Sequence, residues 1–194
     1  MLQVIGIVPS RSIRVNWALE EIGCDYENYK LNFSAGELKS EKFLKINPNG
    51  KMPALVADGV PLFESLAICT YLADRFPEKK LSPNVGTVER AVYDQWMYFI
   101  GTELEQALWS KGKHTFVFPV EKRLPEFLKN LQWEFDFATK VLTKGLGEND
   151  FLVNNELSMV DLNCAMTLRW AKKFDFQLGY DNLEKYLERM EAMP

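Results

Sequence analysis

The sequence predicts an α/β domain with the element order β-α-β-α-β-β-α, followed by an all-helical domain. The apolar spacing switches between strand and helix periods over residues 1–77, and only helical spacing of good quality follows residue 87. Between them, residues 78–86 carry proline and glycine without periodicity, as linkers do. A chain of 194 residues can hold two small domains. We therefore expect domains at 1–77 and 87–194, joined by a linker at 78–86.

The first three elements form a β-α-β unit. Residues 2–7 are a short apolar run ended by Pro9, which is typical of a buried strand. A helix beginning at Ser10 or Ser12 follows, and Gly23 supplies its stop. Its apolar positions at helical spacing are Val15, Ala18, Leu19 and Ile22. Alternating apolar residues over 26–33 predict the second strand.

The rest of the first domain adds a helix, a hairpin and another helix. Ser40 can cap a short helix that runs to Ile46, before a turn at 47–50. Two strands, 53–56 and 60–63, are separated by Ala57-Asp58-Gly59, a combination typical of a tight hairpin. Ser65 then begins a helix that Pro77 closes.

Four helices are expected in the second half. Thr87 can cap a long helix that runs to about Trp109, and residues 124–142 form another. Ser158 and Asp161 have the spacing of a capping box at the start of a third. Asn182 is the expected cap of the last one.

Composition excludes several classes of protein. With 23 Lys and Arg against 27 Asp and Glu, the net charge of −4 lacks the basic footprint of a nucleic-acid binder. The single histidine, His114, excludes an HExxH site, and we expect it to be exposed and idle. Cys24, Cys69 and Cys164 form no CxxC pair, which argues against a disulfide framework or a metal knuckle. Without a basic leader or a long apolar run, the chain is expected to be cytoplasmic and to bind neither metal nor membrane.

Four segments together resemble the glutathione S-transferase family, over essentially the whole chain. They are Pro9-Ser10-Arg11-Ser12-Ile13-Arg14 with the helix to Gly23, Asn47 to Leu55, Phe63 to Ile68, and Leu157-Ser158-Met159-Val160-Asp161. The resemblance is to cytosolic, bacterial-type members that use serine rather than cysteine. It implies a thioredoxin-like N-terminal domain, a helical C-terminal domain, glutathione as co-substrate and a role in detoxification.

The resemblance also implies a glutathione site on the first domain. The Met52-Pro53 bond is cis in this family, so that the Met52 main chain can pair with the cysteinyl unit as an added strand. Glu64 and Ser65 start a helix, where the γ-glutamyl group would bind. By the same resemblance, one or both of two lysines, Lys39 and Lys51, would neutralise the glycine carboxylate of glutathione.

The residue that faces the glutathione thiol lies in the turn after the first strand. That turn holds Ser10, Arg11 and Ser12 but neither tyrosine nor cysteine. The serine position of the serine-type classes falls on Pro9, which is a departure from the family. We expect Ser10 to donate to the thiolate, with Ser12 as the second choice and Arg11 as a source of positive charge.

Side chains for the second substrate and for a dimer come from the helical half by the same resemblance. A hydrophobic electrophile would bind between the domains against Phe99, Thr102, Trp109, Phe116 and Trp170. Family members form twofold homodimers, in which Trp96 and Met97 could take part. The chain stops abruptly at Ala192-Met193-Pro194, so we expect that a C-terminal segment able to cover the cleft is missing from this sequence.

The resemblance leaves three functions open. The first is a glutathione transferase that activates the thiol for attack on a small electrophile. The second is a glutathione-dependent peroxidase or disulfide reductase on the same fold, which needs no protein cysteine if two glutathiones react. The third is a transferase-like interaction protein without catalysis, since a fold does not determine a function. Conjugation, peroxide reduction and isomerisation are not distinguished by these motifs.

Overall fold

A computed structural model describes residues 1–193 as two compact units, Met1–Ser82 and Pro83–Pro194. Pro194, the last residue of the predicted helical domain, lies outside the described residues. Unit 1 contains every named strand of the described chain, and unit 2 is helical. The predicted fold class, an α/β domain followed by a helical domain, is confirmed.

A four-stranded mixed sheet forms the centre of unit 1. Its strands are β1 (Leu2–Gly6), β2 (Glu27–Lys30), β3 (Ala54–Ala57) and β4 (Val60–Phe63), in the order β2-β1-β3-β4. β1 runs parallel to β2 and antiparallel to β3, while β3 and β4 are antiparallel. The parallel pair requires a crossover, and the helix after β1 supplies it.

The hairpin between β3 and β4 is tight, as expected, but its turn has two residues because Ala57 belongs to β3. Asp58 and Gly59 connect the strands with φ values of 51° and 86°. Positive φ at both positions is the requirement of the turn type that suits the twist of a hairpin. The Asp-Gly pair therefore explains the tight turn that was predicted between the two strands.

Three helices cover the sheet of unit 1. α1 (Ser12–Ile22) ends at Gly23 with φ 70°, and it packs against α3 (Ser65–Arg75). α2 (Glu41–Leu44) is capped by Ser40, whose hydroxyl accepts a hydrogen bond from the N–H of Phe43 at 3.2 Å. A cluster of buried hydrophobic side chains lies between α2 and the sheet. It consists of Ile5, Leu31, Phe43 and Ala54. Two short 3-10 turns, Glu37–Lys39 and Pro77–Lys79, complete the unit.

Over its described residues, 83–193, unit 2 contains five α-helices. They are α4 (Val88–Phe99), α5 (Gln106–Gly112), α6 (Leu131–Leu146), α7 (Met159–Lys173) and α8 (Asp181–Glu191). Thr87 caps α4 as predicted, because its hydroxyl accepts from the N–H of Arg90 at 3.1 Å. The predicted long helix continues beyond Trp109, but it passes through two π-helical turns, Ile100–Leu104 and Lys113–Val117. Periodicity alone does not reveal such insertions.

Two predicted helix starts in unit 2 are wrong. The helix expected over 124–142 begins at Leu131, because Pro125–Asn130 forms a 3-10 segment before it. Asn182 does not cap α8, which has Tyr180 at that position. The side chain of Asn182 instead donates hydrogen bonds to the carbonyl oxygens of Thr143 and Gly147, which connects α8 to the end of α6.

The side chains suggested for a dimer contact are part of the core of unit 2. Trp96 and Met97 are only 7% and 4% exposed. The indole of Trp96 packs over Gly145, where a Cβ would lie 2.1 Å from its ring. These two residues are therefore not available at the surface of unit 2.

His114 has a structural role, contrary to the expectation that it is idle. Its Nδ1 accepts a hydrogen bond from the N–H of Leu124 at 3.2 Å, and its ring packs on Phe118 and Phe127. Within residues 1–193, no cluster of three or more His, Cys, Asp or Glu is arranged to hold a metal ion. None of the helices described there is long and apolar enough to cross a bilayer.

Candidate functional site

The main chain of Met52 lies at an open position beside the sheet. The Met52-Pro53 bond is cis, as expected, and β3 begins pairing with β1 only at Ala54, which is opposite Ile5. Among the described residues, the N–H and C=O groups of Met52 have no hydrogen-bond partner. An extended peptide could therefore pair with them as an added strand.

The side chain of Lys39 reaches the turn that precedes Met52, and Lys51 lies in that turn. The Nζ of Lys39 lies 2.9 Å from the point where a Cβ on Gly50 would be, and Gly50 has a φ of 58°. The buried Asn47 donates a hydrogen bond to the carbonyl oxygen of Lys51 at 2.7 Å, which holds the turn in place. Two cations with separate positions in the sequence are thus brought beside one stretch of main chain.

The start of α3 is open and conformationally strained. Glu64 precedes the helix with φ 70° and ψ 106°, a region that costs a non-glycine residue about 1–3 kcal/mol. No side chain caps the first turn, and the carboxylate of Glu64 is exposed. Free N–H groups at such a helix end favour an anion. Ser65 is the first helical residue rather than the cap, and it is 6% exposed.

Arg14 joins this site, although its sequence position did not single it out. Its Nη1 donates a hydrogen bond to Oγ of Ser65 at 3.2 Å, and the residue is only 3% exposed. One signal was available in the sequence, because Arg14 shares a face of α1 with Ala18 and Ile22 at spacings of four. A charged residue on a buried helix face needs a partner, which identifies it as a candidate for a polar site.

The hydroxyl groups in the turn after β1 bond to their own chain. Oγ of Ser10 lies 2.5 Å from the carbonyl oxygen of Ile7 and accepts from the N–H of Ser12 at 3.0 Å. Ser12 is buried, with its hydroxyl against Gly6, so that a Cβ on Gly6 would lie 2.0 Å from that oxygen. Of the two serines, Ser10 is the more accessible, and its hydroxyl would have to leave Ile7 to face a ligand. Arg11, between them, is half-buried.

The five candidates for the second-substrate site fall into different surroundings within unit 2. Phe116 and Trp170 both pack edge to face on Phe174, with ring centroids 6.1 and 5.6 Å away. Sequence reasoning missed Phe174, which follows the last residue of α7 and gave no periodic signal. Phe99 and Thr102 have other neighbours.

The ring of Phe99 packs edge to face on the buried Trp96, with ring centroids 5.4 Å apart. Thr102 donates its hydroxyl proton to the carbonyl oxygen of Tyr98 and is exposed in a π-helical turn. Trp109 is half-buried on α5. The structure therefore places Phe116 and Trp170 together around one ring and gives Phe99 and Thr102 other neighbours.

Comparison with known proteins assigns both halves of the chain. Residues 2–74 match the glutathione S-transferase N-terminal domain, and residues 107–194 match the C-terminal domain of the same family. The glutathione S-transferase GstA of Escherichia coli O157:H7 is 25% identical over 186 residues, which cover 94% of this chain and 89% of that protein. The glutathione S-transferase-like protein gedE of Aspergillus terreus is 31% identical over 198 residues, with coverage of 92% and 85%.

The chain also has the fold of a solved glutathione transferase. The glutathione transferase URE2P8 of Phanerochaete chrysosporium, crystallised with oxidized glutathione, superposes with a TM-score of 0.86 at 25% identity. The alignment covers 100% of this chain and 90% of that protein. With matching models for both domains and a relative above 30% identity along most of its length, this chain belongs to the glutathione S-transferase family.

Proposed function

We propose that this glutathione transferase binds glutathione on unit 1 and activates its thiol for attack on a small electrophile. The observation that carries the proposal is the start of α3, where a strained Glu64 and a buried Ser65 precede an uncapped first turn. Strain of this kind persists where the surrounding structure holds it for a function. An open helix end suits the carboxylate of the γ-glutamyl group.

Each part of the tripeptide has a matching group on unit 1. The γ-glutamyl carboxylate takes the Ser65 hydroxyl and the N–H groups of α3, and its ammonium lies near the exposed Glu64. The cysteinyl unit pairs with the main chain of Met52 beside Pro53. The glycine carboxylate faces Lys39 and Lys51, and the position of Lys39 beside the turn that holds Lys51 supports this direction of binding.

The bound thiol needs a lower pKa than its free value of about 8.5. A drop of two units requires about 2.7 kcal/mol. The N-terminus of α1 supplies roughly 0.3–1 kcal/mol, and a hydrogen bond to a charged group about 1.5–3 kcal/mol. Together they suffice without a general base.

Ser10 is the proposed donor to this thiolate. Its hydroxyl now bonds to the carbonyl oxygen of Ile7, and a neutral bond of this type contributes only about 0.5–1.5 kcal/mol. Exchange of that acceptor for a charged sulfur is therefore favourable. Ser12, 2.9 Å from Ser10 between the two Oγ atoms, acts through it, and Arg11 adds positive charge.

The finer parts of the proposal concern the electrophile, the assembly and the location. Phe116 and Trp170, together with Phe174, supply an aromatic surface for a hydrophobic electrophile, while Phe99, Thr102 and Trp109 remain weaker candidates. We also propose a homodimer, without Trp96 and Met97 in its interface. A cytoplasmic location accords with three cysteines that form no disulfide with one another among the described residues.

A second candidate function is reduction of a disulfide or peroxide by two glutathione molecules. The oxidized glutathione in the crystal structure of URE2P8 favours it, since oxidized glutathione is the product of such a reaction. Conjugation of an aryl chloride and reduction of a mixed glutathione disulfide are therefore to be measured on the same preparation. Higher kcat/KM for the disulfide would replace the first proposal by the second.

Substitution of Ser10 tests the catalytic proposal. Ser10→Ala is expected to lower kcat/KM for an aryl chloride at least about tenfold, through loss of a charged hydrogen bond, with little change in the Kd of glutathione. Ser34→Ala, at an exposed serine of the same unit, is the matched control and should keep wild-type turnover. Unchanged turnover of Ser10→Ala would dismiss Ser10 as the donor. No retention of the wild type on immobilised glutathione would favour the interaction protein instead.

A further inference from the structure

The ammonium group of Lys111, on α5, contacts the segment that follows α7. It donates a hydrogen bond to the carbonyl oxygen of Phe174, 63 residues later in the chain. It also lies over the rings of Phe174 and Phe176, with 5.9 and 5.2 Å between Nζ and the ring centroids. A cation is favourable at the C-terminal end of a helix, because free carbonyl groups point there. Lys111 therefore holds the end of α7 by charge and by its contacts with two rings.

The main chain of Phe174 is also held by α7 itself. The N–H groups of Phe174 and Phe176 both donate to the carbonyl oxygen of Ala171 at 3.0 Å. Asp175, between them, has a φ of 60°, in the left-handed region that is common where helices end. The hydrogen bond from Lys111 adds the carbonyl oxygen of Phe174 to this pattern. The direction in which Phe174 leaves the helix is therefore fixed from two helices.

Phe174 supports two further rings in unit 2. Phe116 and Trp170 meet its ring at interplanar angles of 85° and 80°. A Cβ on Gly112 would lie 3.4 Å from the ring of Phe116 and 3.8 Å from that of Phe174, so both rings pack against the main chain of α5. Phe116 is exposed and the other two rings are half-buried, which leaves a face for a ligand. Lys111 and Gly112, adjacent on α5, thus contact the main chain and the ring of Phe174.

We infer that Lys111 is a positioning residue for the electrophile: by holding Phe174, it keeps three rings in place and makes the site select aromatic over small aliphatic electrophiles. The inference rests on the proposed function, because it takes Phe116, Trp170 and Phe174 as the surface that binds the electrophile. A planar aromatic ligand gains edge-to-face and stacked contacts with such rings, and a small aliphatic one does not. Lys111 acts through Phe174 and takes no part in glutathione binding on unit 1.

Steady-state kinetics with two electrophiles test this role. Chlorodinitrobenzene is the aromatic electrophile and iodomethane the aliphatic one; in both reactions the glutathione thiolate forms the new C–S bond and a halide ion leaves. Lys111→Met keeps the length of the side chain and loses the charged donor. It is expected to lower kcat/KM for chlorodinitrobenzene at least about fivefold, mainly through KM. The kcat/KM for iodomethane and the Kd of glutathione should change less than about twofold.

Two further variants separate positioning from a general effect of charge or packing. Lys173→Met, at an exposed lysine in the last turn of α7, removes a positive charge from the same helix end while the hydrogen bond from Lys111 stays. It should leave all three values unchanged. Lys111→Arg keeps a charged donor and should recover most of the lost preference for chlorodinitrobenzene. If Lys111→Met does not fold, Lys111→Gln replaces it and should lower the ratio of the two kcat/KM values at least about twofold.

The outcomes that contradict the inference differ from those that contradict the proposed function. Equal losses for both electrophiles, an unchanged ratio in a folded variant, or no recovery in Lys111→Arg would overturn the role of Lys111 alone. A wild-type protein that binds no glutathione, or that conjugates neither electrophile, would overturn the proposed function as well.

Discussion

Two helix starts in this protein are built in opposite ways. α7 in unit 2 begins with a complete capping box, in which Ser158 and Asp161 exchange hydrogen bonds. α3 in unit 1 begins after Glu64 with no side-chain cap, a strained backbone and an exposed carboxylate. A helix end must satisfy its free N–H groups with side chains, water or a ligand. The first start is closed by its own chain, and the second has no side-chain cap, as the proposed glutathione site requires.

The closed start carries a fully buried carboxylate. Asp161 is 0% exposed, and it accepts hydrogen bonds from the N–H groups of Leu152 and Ser158 and from the hydroxyls of Ser158 and Tyr186. Burial raises the pKa of this carboxyl, and the donors oppose that rise. All of its hydrogen-bonding capacity is used internally, which leaves nothing for a ligand.

The open start contains a strained residue, and it is the proposed binding site for the γ-glutamyl group. Its serine takes a hydrogen bond from the buried Arg14 and keeps its own proton. Both helix starts have a serine beside an acidic residue. Whether the acidic side chain is buried or exposed decides if it can cap the helix or is free to contact a ligand. Asp161 turns inward on the helix, whereas Glu64 precedes the helix and faces solvent.

The largest expected effect is the loss of the buried carboxylate at α7. Asp161→Ala leaves several buried donors without an acceptor, each at about 1–3 kcal/mol, so we expect unfolding free energy to fall by more than about 3 kcal/mol. Urea denaturation followed by circular dichroism measures this loss. Glu148→Ala, at an exposed position in the same unit, should change stability by less than about 0.5 kcal/mol. A similar small change for Asp161→Ala would contradict the closed character of this helix start.

A pair of serine substitutions tests whether the two starts differ in kind. Ser158→Ala and Ser65→Ala should each lower unfolding free energy by about 1 kcal/mol, through loss of a cap and of a buried acceptor respectively. Only Ser65→Ala should weaken glutathione binding, by about tenfold in Kd. Titration calorimetry beside urea denaturation gives both values. If Ser65→Ala loses stability and keeps its affinity, the start of α3 is structural and the distinction fails.

The smallest expected effect comes from relief of strain at the open start. Glu64→Gly should raise unfolding free energy by about 1 kcal/mol, because glycine accepts a φ of 70°, and should weaken glutathione binding several-fold by removal of the carboxylate. Asn154→Gly, at an exposed residue of unit 2 with φ 53°, is the matched control for strain without a ligand. It should gain stability with no change in Kd. A less stable Glu64→Gly would show that this backbone conformation is not strained.

Local interactions made much of the fold predictable. The αL stop at Gly23, the Asp58-Gly59 turn and the caps at Ser40 and Thr87 all depend on residues within four positions of one another. The capping box of α7 has the same short range. Such signals failed only where a local rule had a competitor, as for Asn182, whose side chain found the carbonyls at the end of α6 instead.

The site was predictable where family motifs marked it, and contacts between distant segments were not. Met52, Glu64 and Ser65 stood in recognisable motifs, while the hydroxyl of Ser10 has a partner, Ile7, that no motif indicates. The meeting of Lys39 with Gly50 also required coordinates.

By itself, the sequence determined the order of the elements, most of their boundaries and the segments that carry the family resemblance, because periodicity, turn residues and caps act over one or two turns of chain. Only the tertiary structure decided that Arg14 reaches Ser65, that Phe174 brings Phe116 and Trp170 together, and that Trp96 is buried over Gly145. The physical reason is that these contacts join residues far apart in the chain, and packing selects them from many alternatives that local pattern leaves equally possible.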